Sequence, residues 1–261
     1  MSNIKAKKSL GQNFLINQQV LDIIVNAADI KATDTIFEIG PGTGNLTAKL
    51  LNTQAKVIAI EKDQRLKVIL NDRFKQYQNF DLIFDDIRNI YSVLIKQKYS
   101  TFKIVANIPY YLSSFLFRLF FDFSPKPQIV VLMIQKELAE RIAKPNVLNS
   151  KLRMYINLYF DSQYIKTVKR TNFQPQPKVD SAIIKLTLKD VKYSKVFLTK
   201  FKNIINAGFQ QPRKMLISNL KHYYQKTLDY EYIFNQLDIN LKSRPEQLNF
   251  EMWIKLINKL N

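Results

Sequence analysis

Asn107-Ile108-Pro109-Tyr110 puts an amide, a constrained backbone turn and an aromatic ring on four successive residues. The exocyclic amine of adenine is a poor nucleophile, because its lone pair is delocalised into the ring. A site that methylates such an amine must accept hydrogen bonds from both of its hydrogens, and so stabilise the charge that develops during attack. The Asn107 side-chain oxygen and the Ile108 carbonyl are two such acceptors. Pro109 stiffens the turn, and Tyr110 offers a flat face for an unstacked base. A sulfonium methyl is already activated, so its transfer depends on in-line positioning more than on a strong general base. The single histidine, His222, lies far along the chain from this motif and reads as a surface or packing residue. The bland reading of the tetrapeptide is a strand-to-loop turn with an Asn cap.

A methyl donor needs its own pocket, and Glu38-Ile39-Gly40-Pro41-Gly42-Thr43-Gly44 is a candidate for its floor. Glycines at a strand-to-helix turn let the backbone approach a ligand and leave helix amides pointing at it. Alone, the loop is weak, since dinucleotide-binding loops look similar and a turn without any ligand uses the same residues. Glu61 follows about twenty residues later, at the distance where a carboxylate accepts both ribose hydroxyls. The pair leaves NAD open, but the glycine spacing departs from G-x-G-x-x-G and favours S-adenosylmethionine. Asp86 is placed to accept from the donor's adenine amine, whereas its neighbour Asp85 reads as a solvated strand-end charge. Either aspartate also reads as a cap of the following segment.

These residues need a frame that brings them together. Short apolar runs predict strands over 35–40, 56–61, 80–84, 102–107 and 128–134. Helical patterns fall between them, over 46–51, from Asp63 to about 76, and over 112–121. Strand-helix alternation at this spacing predicts an α/β fold with a parallel, doubly wound sheet. Ligands bind outside the carboxyl ends of such strands. Gly40, Glu61, Asp86 and Asn107 each close one of four successive strands, so they converge on one edge. A further strand reads over 182–188, and the pattern then becomes helical over 196–209, 214–224, 230–237 and 245–260. The division expected is a methyltransferase domain over 1–189 and a small all-helical domain over 190–261.

Composition narrows the partner. Lys+Arg number 40 against 21 Asp+Glu, a net charge of +19, which implies a polyanion; a lysine-rich coding bias is the alternative. Lys189, Lys192, Lys195, Lys200, Lys202, Arg213, Lys214, Lys221 and Lys226 face only Asp190 across their stretch. That face reads as phosphate-tracking or as an ordinary solvated helical surface. No apolar run approaches the ~18–20 residues that cross a bilayer. The basic start lacks an apolar secretory core, and the absence of cysteine excludes disulfides and thiolate metal sites. A cytoplasmic protein without a metal is the expectation.

The chain resembles the rRNA adenine N6,N6-dimethyltransferases, and within them the bacterial small-subunit branch. The resemblance rests on Lys8-Ser9-Leu10-Gly11-Gln12-Asn13-Phe14-Leu15, the glycine loop, the Asn107 motif and Phe173-Gln174-Pro175-Gln176-Pro177-Lys178-Val179-Asp180-Ser181. Phe209-Gln210-Gln211-Pro212-Arg213-Lys214 and Arg244-Pro245-Glu246 extend it through the tail. It implies a Rossmann-like S-adenosylmethionine-dependent sheet in which Asn13, Leu15, Gly40, Gly42, Glu61, Asp86 and Asn107 hold the donor. It implies that Phe173 lies with Tyr110 at the target base, and that Lys7, Lys8, Lys178, Arg213 and Lys214 meet RNA. The implied substrate is a pair of adjacent adenosines in the 3′-terminal hairpin of small-subunit rRNA in an immature 30S-type particle, each methylated twice by a monomer. Two positions depart from the pattern: Tyr111 stands where Asn is frequent, and Pro212 where Arg is common. The rivals are a macrolide-resistance-type large-subunit methyltransferase, a non-catalytic RNA-binding assembly factor and an NAD-dependent oxidoreductase. The last lacks an evident hydride-transfer acid.

Overall fold

The structure is a computed structural model describing residues 6–7, 10–89, 91, 99–145, 147–225 and 227–260. It divides into two compact units, Met1–Lys144 with Asp161–Leu188, and Pro145–Phe160 with Lys189–Asn261.

The first unit carries strands β1 (Phe14–Leu15), β2 (Thr35–Ile39), β3 (Lys56–Glu61), β4 (Phe80–Phe84), β5 (Lys103–Asn107) and β6 (Ile129–Gln135). It is completed by β7 (Phe160–Val168), whose first residue falls in the other unit, β8 (Phe173–Gln174) and β9 (Ser181–Leu188). Its helices are α1 (Gln18–Ala27), α2 (Asn45–Leu51), α3 (Lys67–Phe74), α4 (Ser113–Asp122) and α5 (Lys136–Ala143). Seven strands form one sheet in the order β4-β3-β2-β5-β6-β9-β7, while β1 and β8 make a separate two-stranded ladder. The central strands are buried along nearly their whole length (Lys-Val-Ile-Ala-Ile-Glu in β3), as expected of parallel strands covered on both faces.

Parallel register aligns the strand ends. Thr35 pairs with Lys56 and Ile39 with Ile60, while Val57 pairs with Phe80 and Glu61 with Phe84. On the other side of β2, Ile36 pairs with Lys103. The chain therefore steps outward from β2 through β3 to β4, then returns to place β5 on β2's opposite flank. That reversal opens a crevice beside β2 at the carboxyl edge. At the opposite edge, the buried Lys103 ammonium donates to the Ala28 and Asp29 carbonyls at 3.2 and 2.5 Å and pairs with Asp34 at 2.7 Å. A cation at the carbonyl end of α1 satisfies groups the helix leaves open, and it pins the start of β5.

The second unit holds α6 (Lys151–Tyr159), α7 (Lys195–Gly208), α8 (Leu216–Tyr223), α9 (Tyr230–Gln236) and α10 (Phe250–Lys259). Residues 145–160 correct the division expected from sequence, which kept them with the sheet. Met154 and Leu158, one helical turn apart, are buried in a core shared with Phe201, Leu256 and Trp253. Burying that stripe requires the helical unit, so α6 packs there although the chain then returns to the sheet. Helix α1, helix α5, the β1–β8 ladder and β7 were also not anticipated.

Trp253, the only tryptophan, stacks on Phe209 with ring centroids 5.4 Å apart. A Cβ on Gly208 would overlap the Trp253 ring. Gly208→Ala is therefore expected to destabilise this unit by ~1–3 kcal/mol through overpacking. Trp253 emission followed through urea unfolding measures it, and an unchanged midpoint would show that the ring can move aside.

Candidate active site

The turn after β2 has a shape only glycine supplies without strain. Gly40, Gly42 and Gly44 have φ of +69°, +58° and +82°. At Gly42 a Cβ would stand 3.0 Å from the Phe14 ring, and at Gly44 2.6 Å from Phe74. Gly44 then opens α2. The turn is tied to the neighbouring strand by Glu61, whose Oε2 accepts from the Gly42 N–H at 3.1 Å and whose Oε1 accepts from the Asp63 N–H at 2.8 Å. Burial nonetheless pushes the Glu61 carboxyl up.

Glu38 lies under the same turn, 1% exposed, and its Oε2 has no hydrogen-bond partner. Burial pushes its carboxyl up to about 8, with the Glu61 charge adding to the shift. Asp86, beyond β4, behaves oppositely. It is held well below the usual carboxylate range, first by Arg88 and then by Lys62, with ion-pair distances of 2.5 and 2.9 Å. Asp86 accepts from the Arg88 backbone N–H as well, at 3.0 Å, which fills its roughly four acceptor positions, so a ligand amine reaches this carboxylate by displacing one of these partners. Asp85 Oδ1 accepts from the Asp86 N–H at 2.6 Å and from the Asn89 side chain at 3.1 Å, whereas Asp86 Oδ1 accepts from the Arg88 N–H at 3.0 Å and so caps the turn that follows.

Residues 10–15 cross the cleft as a strap. Gln12 donates to Asp63 Oδ2 at 2.8 Å, and Asn45 donates to the Leu15 carbonyl at 3.0 Å. The β1–β8 ladder pairs Phe14 with Gln174 and Leu15 with Phe173. The Asp63 carboxyl that anchors Gln12 is held down to about 2, chiefly by Arg65 and also by Gln12 itself. Gln12, Asn45 and Asp63 carry this closure, and sequence reading gave Gln12 and Asn45 no part in the site. Their partners lie 51 and 30 positions away, so no local pattern marks them.

Asn107 closes β5 beneath the strap. Its Nδ2 donates to the Asn13 carbonyl at 3.4 Å, which turns Oδ1 the other way as an acceptor. Ile108 is buried. Pro109 leads into a 3-10 turn over Tyr110–Leu112. The half-buried Tyr110 has its hydroxyl 2.9 Å from Ser181 Oγ, and Ser181 is fully buried at the start of β9. Phe173 is only 3% exposed and packs with Leu15 in the core below.

Asn13, Leu15, Gly40, Gly42, Glu61, Asp86, Asn107, Ile108, Pro109, Tyr110 and Phe173 all line one cleft, with about 1000 Å³ of empty space. Lys7, Lys178, Arg213 and Lys214 do not line it, whereas Lys62 does. Lys7 and Lys178 are exposed on the first unit, and Arg213 and Lys214 are exposed ahead of α8 in the second. Lys8 and Lys226 lie outside the described residues. His222 is exposed and meets Tyr223 edge-on at 4.4 Å. Among the described residues, no group of His, Cys, Asp and Glu is arranged to hold a metal.

A carboxyl that stays protonated in the fold and ionises in the unfolded chain makes the protein less stable as pH rises between the two pKa values. For Glu38 that window runs from its ordinary 4.5 up to about 8. Glu38→Gln, a neutral isostere, is expected to flatten the fall in urea midpoint across this window. An equal fall in the variant would place the pH dependence on another group.

Residues 3–261 match the family of the ribosomal RNA adenine dimethylases. The ribosomal RNA small subunit methyltransferase A of Dehalococcoides mccartyi is 38% identical over 97% of this chain and 88% of its own length. The protein of that name from Clostridium acetobutylicum is 37% identical over 99% of this chain and 95% of its own. Among solved structures, a dimethyladenosine transferase from Plasmodium falciparum superposes with a TM-score of 0.75 at 32% identity, covering 93% and 95% of the two chains. The 23S rRNA methyltransferase ErmE superposes with a TM-score of 0.80 over 95% and 99%, and at 22% identity this is a likeness of fold. The glycine turn, the strand-end acids and the Asn107 motif of this chain therefore belong to a member of the ribosomal RNA adenine dimethylase family.

Proposed function

We propose that this S-adenosylmethionine-dependent rRNA adenine dimethyltransferase modifies the N6 amines of two adjacent adenosines in the 3′-terminal hairpin of small-subunit rRNA. It methylates each twice, as a cytoplasmic monomer, on an immature 30S-type particle. The observation that carries this reading is the orientation of Asn107. With Nδ2 committed to the strap, Oδ1 is presented at the end of β5 in the same cleft as the glycine turn and Glu61. The support for the small subunit is the naming of relatives at 37% and 38% identity.

The cleft suits the donor. S-adenosylmethionine, when bound, supplies an electrophilic methyl on a positively charged sulfur. Glu61 is placed to accept from ribose hydroxyls, Asp86 from the donor's adenine amine, and the Gly40–Gly42 backbone to lie against the chain between them. Asn13 and Leu15 cover this ligand from the strap and exclude water. On the acceptor side, Asn107 Oδ1 and the Ile108 carbonyl take the two hydrogens of the target amine, orienting its lone pair at the methyl. Tyr110 and Phe173 hold the base plane. Unpaired loop bases cost least to extrude, which suits a hairpin end. Lys7, Lys8, Lys178, Arg213 and Lys214 are assigned to phosphates. No helix among the described residues is long and apolar enough to cross a membrane.

Labelled methyl transfer to small subunits from a strain lacking this modification is expected to place label in the small-subunit RNA. Large subunits serve as the control, and label entering only their RNA would overturn the assignment. Label in neither would favour an RNA-binding factor. Asn107→Ala is expected to lower transfer by about 10²–10³, the loss typical of a removed charge-stabilising group, with RNA affinity nearly unchanged in a filter-binding titration. A large drop in affinity would mean that Asn107 acts in binding.

A further inference from the structure

The turn that carries Tyr110 carries a second aromatic residue with no part in the chemistry above. Three residues complete one revolution of a 3-10 turn, so successive side chains over Tyr110–Leu112 point about 120° apart. Tyr110 is directed inward to the buried Ser181, and Leu112 is buried. Tyr111 takes the remaining direction. It lines the cleft, yet it is 50% exposed. Part of its ring rests on the strap, where a Cβ on Gly11 would stand 3.5 Å from Tyr111 Cδ1. Packing on the strap accounts for that covered part and not for the open remainder.

A half-open aromatic face is what a single-stranded nucleobase stacks on. The need for one follows from the reaction. Lifting one adenine out of a strand removes a stacking partner from its neighbour, and two consecutive bases cannot share a single ring. We propose that Tyr111 is a stacking platform for the base immediately flanking the target adenosine. One turn then presents two tyrosines to two consecutive nucleotides. A purine, with the larger face, fits this platform better than a pyrimidine. The proposal rests on the assignment of Tyr110 to the target base.

The test uses short single-stranded RNAs with two adjacent adenosines, intact or made abasic on the 5′ or 3′ side of the target. Binding is read by fluorescence anisotropy with S-adenosylhomocysteine present, so that nothing turns over, and labelled methyl transfer to small subunits from a strain lacking the modification is run beside it. Removing the base on one side should weaken wild-type binding about 10-fold, within the range measured for stacking of one base. Tyr111→Leu should weaken the intact RNA similarly and abolish the difference between intact and abasic RNA, while Tyr111→Phe keeps both. A Tyr111→Leu loss shared equally by intact and abasic RNA overturns the platform, as does a neighbour dependence that survives in that variant. Wild type that methylates the target yet ignores the neighbour overturns the platform alone. Wild type that fails to methylate overturns the Tyr110 assignment and the platform with it.

Discussion

Both oxygens of the Glu61 carboxylate accept main-chain N–H bonds, one from Gly42 and one from Asp63, and much of the site hangs on this pair. A buried carboxylate is costly unless it is well bonded, and two such bonds offset that cost. The bond to Gly42 holds the glycine turn against the end of β3. The bond to Asp63 orients the acid that anchors Gln12, and through Gln12 the strap over the cleft. The strap in turn pairs with β8 and seats Leu15 opposite Phe173. A contact between two strand ends is thereby transmitted to residues more than a hundred positions away.

Electrostatics in the cleft are differentiated rather than uniformly acidic. Glu38 and Glu61 are pushed up by burial, while Asp63 and Asp86 are held down by adjacent arginines. The low pair keeps full charge where it anchors the strap and the β4 end. The high pair lies under the glycine turn, where a cationic ligand would favour ionisation. Opposed shifts among close carboxyls are a mark of functional sites, since environment rather than residue type sets each proton's affinity. The helical unit is built on other terms, from an apolar core around Trp253.

Much of this was legible in the chain. Apolar runs closed by Gly40, Glu61, Asp86 and Asn107 announced adjacent strands, because parallel sheets demand buried segments and place ligands at their carboxyl ends. Strand limits from periodicity fell within a residue of those observed for β2 to β6 and β9. The surface position of His222 was also readable, since it depends on local spacing. Helix α6 was not. Its stripe of Met154 and Leu158 says that it is buried, but not in which core, because an apolar face carries no address.

The sequence by itself pointed to the kind of chemistry, since an amide, a backbone carbonyl and an aromatic ring in four consecutive residues are the acceptors and flat face that an adenine amine requires. It also determined which strand ends meet, because hydrophobic period and turn residues are local properties. Only the tertiary structure paired the Asn107 amide nitrogen with the Asn13 carbonyl, 94 positions earlier. It alone showed that Tyr110 turns inward to Ser181 while Tyr111 remains open, two identical side chains on adjacent residues. The physical reason is common to both: hydrogen-bond partners and burial arise from pairs distant in sequence, and no local pattern encodes the partner.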